Sequence, residues 1–213
     1  MKTNLKRIVI GVLLLAIVGF AVWTKRAGPA NVDLRSTPLL KKKGKLTRTS
    51  RSQMIAALAR RENLRSKEAE DQLFPDQTKG GINLSDPKAP TGYAIITTTA
   101  HVQKSLKDLP IGTLHFYCTA NRSGPVKKIK TIQYVSFQPY NHKSYAGSAD
   151  YLLLDSDYAV CLLRGNLYNY GGASTASGGR AVAPGDQNGS IEYTPIGNVN
   201  FYQAVFEQYI VSF

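Results

Sequence analysis

The sequence predicts a mainly β protein: an antiparallel β-sandwich or barrel-like domain, placed behind an N-terminal apolar helix, a basic stem and a short helical hairpin. Three observations predict it. From Thr91 onward the chain is a series of segments rich in Val, Ile, Thr, Tyr and Phe, separated by Gly, Pro, Asn and Asp, the composition of strands and turns. All 12 tyrosines lie between Tyr93 and Tyr209, with both cysteines among them. The charge is also divided: residues 1–90 carry a net +11 of the total +13, and residues 91–213 only +2. The basic character therefore belongs to the N-terminal part and not to the folded domain.

The first element, residues 1–24, is a signal-anchor or a signal peptide. Its apolar run from Ile8 to Trp23 has 16 residues, between the ~20 of a membrane span and the roughly 7 to 15 of an export signal's apolar part. Trp23 is an interfacial anchoring residue, and Lys25 and Arg26 can snorkel to lengthen the span. Gly19 with Ala21, and Gly28 with Ala30, offer small-x-small sites for cleavage. Basic residues flank the run on both sides. A short basic segment before an apolar run is the form of an export signal, so the expected orientation puts the C-terminal domain outside the cytoplasm, or secretes it if the signal is removed.

Residues 25–49 read as a disordered basic stem, without apolar periodicity. Lys25, Arg26, Lys41, Lys42, Lys43 and Lys45 are its expected contacts with an anionic lipid or wall polymer. Residues 50–75 then change character. Ser50 and Gln53 form a capping box, Met54, Ile55 and Leu58 hold helical spacing, and Asn63 can end the helix. Ser66 can cap a second helix, with Glu68 and Glu70 in its first turn, Ala69 and Leu73 on one side and Pro75 past its end. Residues 76–90 form a Pro/Gly/Asp linker.

The wording "RSQMIAALARRENLRSKEAEDQL" locally resembles the first helices of HU-type DNA-binding proteins, and that resemblance implies a nucleic-acid alternative through the stem and hairpin. Glu68, Glu70 and Asp71 stand where phosphate contacts would need cations, and no basic β-arms follow, so nucleic acid is not the expected partner.

Residues 91–213 are the β-domain. In its last segment Val199, Phe201, Val205, Tyr209, Val211 and Phe213 are expected on one face. "LLLDSDYAV" reads as strand, turn, strand, and "GGASTASGGRAVAPGDQNG" as a flexible loop. Cys118 and Cys161 fall in separate strands, as either one disulfide or two buried free thiols. Three scattered histidines and no C-x-x-C pair give no metal site, and no motif implies a cofactor.

His101, Cys161 and Arg164 behind an N-terminal anchor resemble the His, Cys and Arg of the sortases, which implies a cysteine transpeptidase as an alternative. Arg164 lies three residues from Cys161, however, so on one strand the two side chains face opposite ways. The preferred expectation is a tethered or exported cell-envelope protein whose Tyr-rich domain is a binding or structural module for a protein or glycan. Tyr140, His142, Tyr145, Tyr168 and Tyr170, at loops and strand ends, are the candidate ligand contacts.

Overall fold

The computed structural model describes residues 39–75, 91–104, 107–121, 128–169, 174–197 and 200–213. The expected span at residues 8–23, Lys25, Arg26, the linker and Tyr170 lie outside them. No helix among the described residues is long and apolar enough to cross a membrane.

The fold is mainly β, in two sheets. Among the described residues ten strands run in chain order: β1 (Leu39–Lys43), β2 (Lys45–Thr49), β3 (Thr91–Lys104), β4 (Lys107–Asn121), β5 (Ile129–Pro139), β6 (Ser144–Asp155), β7 (Tyr158–Asn169), β8 (Ser174–Gly178), β9 (Gly189–Pro195) and β10 (Asn200–Ser212). Between β2 and β3 lie helices α1 (Arg51–Glu62) and α2 (Ser66–Leu73). One sheet has six strands in the order β1-β10-β7-β6-β9-β8, and the other four in the order β2-β3-β4-β5. Every pairing is antiparallel except that of β1 with β10.

The unit begins at Leu39, which corrects the expected stem. From Leu39 to Thr49 the lysine-rich chain is two strands, each at the edge of a different sheet. Charged lysines blunt a sheet edge against further pairing, so a strand there needs few apolar residues, and in β1 only Leu40 is buried. Gly44 is the crossing point. A Cβ at this position would lie 2.4 Å from Ile96 Cγ2 and 3.1 Å from Val211 Cγ1, so the chain passes between the sheets only where a side chain is missing.

The hairpin forms by local chemistry and is held by packing. Ser50 Oγ accepts from the Gln53 amide at 3.2 Å while Gln53 Oε1 accepts from the Ser50 amide at 3.0 Å, and Asn63 closes α1 in the left-handed conformation at φ 53°. The cap of α2 is Arg65 and not Ser66: the Glu68 carboxylate accepts from the Arg65 amide at 2.9 Å and pairs with its guanidinium. Met54, Leu58, Ala69 and Leu73, each pair four residues apart, are fully buried and belong to the same core as both sheets.

Between the sheets lie Tyr145, Tyr151, Tyr193 and Tyr209 from the larger one and Leu114, Phe116, Ile96 and Phe137 from the smaller. Phe137 meets Tyr145 edge-on at 5.0 Å, and Tyr145 meets Tyr193 at 5.5 Å. The expected flexible loop after residue 171 is partly structured: Ser174–Gly178 pairs with β9, and Val182 bridges Ile132. The Asp155–Tyr158 connection is the expected turn, with Asp155 Oδ1 accepting from the Asp157 amide at 2.7 Å.

Candidate functional site: an aromatic sheet end

One end of the six-stranded sheet gathers exposed aromatic side chains, and a β-bulge puts them there. In β10, Phe201 stands opposite Tyr168 and Gln203 opposite Leu167, which leaves Tyr202 as an extra residue in the ladder. A bulge reverses the side-chain alternation beyond it. Val205, Tyr209 and Val211 consequently point into the core, while Phe201, expected on the same face, is 63% exposed and Tyr202 is 49% exposed. Phe201 packs edge-on against Tyr168 at 6.3 Å.

The turn from β5 to β6 completes the group. Asn141 and His142 both adopt left-handed backbone, at φ 58° and 55°, the geometry of the tightest hairpin turns, and the Lys143 amide closes onto the Tyr140 carbonyl at 3.3 Å. Lys143 Nζ then sits 3.8 Å from the Tyr202 ring centroid and donates to Asn169 Oδ1 at 2.9 Å, a cation held against an aromatic face. Tyr140 is 37% exposed, and its hydroxyl accepts from Thr113 Oγ1 at 2.8 Å. Ile196, half exposed, follows β9 at this end. Segments 140–143, 168–169, 195–197 and 200–203 carry Lys143 and His142 and no carboxylate side chain.

Of the residues read from sequence as ligand contacts, Tyr168 belongs to this group, and Tyr140 and His142 lie in the turn that carries Lys143 to it. Tyr145 does neither. It is completely buried, its hydroxyl donates to the Ser148 carbonyl at 2.9 Å, and burial pushes its ionisation well above the ordinary tyrosine range. Sequence reading missed Phe201, Tyr202, Lys143 and Ile196. One signal was present: in strict alternation with Phe201 and Val205, position 203 should be apolar, and it is Gln203.

Among the described residues of the expected stem, Lys41, Lys42 and Lys43 lie in β1 and Lys45 in β2. Lys42 pairs with Asp108 at 3.1 Å, and Lys41, Lys43 and Lys45 are exposed. Exposed pairs of this kind add little stability.

Cys118 and Cys161 are free thiols, both fully buried and in different sheets. Burial pushes both thiols up, and the Asp150 charge adds to the effect at Cys161, the opposite of what a nucleophilic thiolate needs. Arg164 is committed elsewhere: its Nε and Nη2 donate to Asp150 Oδ2 at 3.1 and 2.9 Å. His101 Nδ1 lies 3.2 Å from the Thr99 carbonyl. The sortase-type grouping is therefore not assembled.

A second polar cluster lies under the hairpin. His115 and Ser136 are cross-strand partners, Ser136 Oγ donates to the Glu62 carboxylate, and Arg61 Nη1 donates to Tyr117 Oη at 2.9 Å. Desolvation, then the Arg61 charge, lowers the His115 pKa to about 4, with a hydrogen bond to Gln138 opposing them. Burial raises Glu62. Ser136 is fully buried and His115 nearly so, and through these bonds the cluster fastens α1 to the sheet. Among the described residues no three His, Cys, Asp or Glu side chains are grouped to hold a metal ion.

The chain matches no protein-family model, no curated protein and no solved structure. The functional reading rests on the site itself.

Proposed function

We propose that the chain is a cell-envelope protein held to the membrane through residues 8–23 with its C-terminal unit outside the cytoplasm, and that this unit, a β-sandwich, is a binding or structural module and not an enzyme. The observation that supports the module reading is the aromatic end. Phe201, Tyr202, Tyr168 and Tyr140 offer contact area at low entropic cost, beside a cation and without a carboxylate. The buried thiols and the committed Arg164 point the same way. The basic residues from Lys25 to Lys45 would hold the chain near an anionic lipid or wall polymer. Protease treatment of intact cells carrying the full chain is expected to remove the unit from Leu39 onward. Protection until the cells are lysed would overturn the reading, because it would mean that the positive charges after the apolar run keep the unit inside.

A further inference from the structure

We infer that the aromatic end is a membrane-docking surface: Phe201, Tyr202, Tyr168 and Ile196 enter the headgroup layer of an anionic bilayer, and Lys143 meets its phosphates. The inference rests on the membrane-held reading above and names what this end contacts.

Three features select a lipid surface. The first is composition: aromatic rings with one polar edge favour the membrane–water interface, and the tyrosine hydroxyls and the Lys143 ammonium supply that polar edge around exposed Phe201. The second is charge. With Lys143 and His142 present and no carboxylate in segments 140–143, 168–169, 195–197 and 200–203, an approaching phosphate meets no local acidic repulsion. Phe201 and Tyr168 stand edge to face with an interplanar angle of 84°, so the pair offers no coplanar platform on which a sugar ring would stack.

The third feature is topology. Because β1 runs parallel to β10, with Leu39 opposite Gln208, the N-terminal end of β1 points toward the start of β10, where Phe201 and Tyr202 lie. Six residues of strand lie between Phe201 and Gln208, a distance of roughly 23 Å. Fifteen residues join Trp23 to Leu39, with a maximum reach of about 50 Å. An anchored chain is thus long enough for this end to meet the bilayer.

The test uses the full chain in vesicles of phosphatidylcholine and phosphatidylglycerol, with Trp23, the only tryptophan, changed to Phe. A single tryptophan is then placed by Phe201→Trp or by Tyr158→Trp. Tyr158 is a matched control, 43% exposed at the opposite end of β7. With lipids brominated on the acyl chains, Phe201→Trp is expected to be quenched at least threefold more strongly than Tyr158→Trp and to emit further to the blue. Equal quenching in protein that floats with the vesicles would overturn the docking surface while leaving the anchor in place. A blue-shifted but unquenched Phe201→Trp would also overturn it, by showing that the end is covered by protein. Failure of the full chain to float would overturn the membrane-held reading, and this inference with it.

Discussion

His115 shows how one buried side chain links acid to stability. Its ring lies under α1 beside Arg61, with Thr97 Oγ1 3.2 Å from Nδ1 and Ser136 directly across the strands. With a folded pKa of about 4 against 6.5 for the free side chain, the unfolded chain takes up a proton before the folded unit does. Stability from this residue is therefore complete above pH 6.5 and is lost as pH falls toward 4, by up to about 3 kcal/mol. Glu62 acts oppositely: its raised pKa favours the folded unit at low pH and loses that contribution as pH rises through the folded value. Urea unfolding of wild type and His115→Gln at pH 7, 5.5 and 4.5 separates the two. The acid-side fall is expected to flatten in the variant, and parallel falls would show that other groups dominate.

At the scale of elements, legibility in the sequence depended on how much of an element is buried. The long central strands and the capping box of α1 were readable because alternating or helical apolar spacing meets a core in each case. β1 and β2 were not. Each contributes little to the core, and the lysines that protect their edges are the same residues that suggest a disordered stem. The candidate site was half legible. Tyr140, His142 and Tyr168 sit at visible turns, whereas Phe201 depends on a bulge that simple alternation does not show. The crossing at Gly44 makes a prediction at this scale. Gly44→Ala puts a methyl group against Ile96 and Val211, and overpacking of this kind is expected to cost about 1–3 kcal/mol. A lowered urea midpoint checks it. An unchanged midpoint would mean that the two side chains move aside.

At the scale of the whole molecule, the folded unit is larger than the domain expected over residues 91–213. Met54, Leu58, Ala69, Leu73 and Phe74 from the hairpin share the core with both sheets, and Leu40 comes from β1. Removing residues 39–90 would expose those contact surfaces and leave β3 and β10 as new edges. With ~1.5–3 kcal/mol for each large apolar side chain buried, the loss is comparable to a domain's entire stability. A chain beginning at Leu39 is expected to unfold cooperatively on heating, whereas one beginning at Thr91 is expected to show a broad transition or none. Equal cooperativity of the two by circular dichroism would show that the hairpin and β1–β2 are accessory. The charge division seen in the sequence misplaced this boundary because net charge reports solvent exposure, and the exposed charged residues of β1, β2 and the hairpin are basic although Leu40 and the hairpin's Met54, Leu58, Ala69 and Leu73 are buried.

The parallel pairing of β1 with β10 also has a mechanical consequence. All five residues of β1 lie in register beside Gln208–Ser212, so a pull on the chain upstream of Leu39 along the strand axis loads the row of ladder bonds side by side, in shear. The bonds cannot peel away one after another, as they would if the pull came at a right angle to the strand. Rupture under such a load is governed by the rate of crossing the unfolding barrier and not by equilibrium stability. β1 therefore acts as a grip whose direction of greatest strength is set by its alignment with β10.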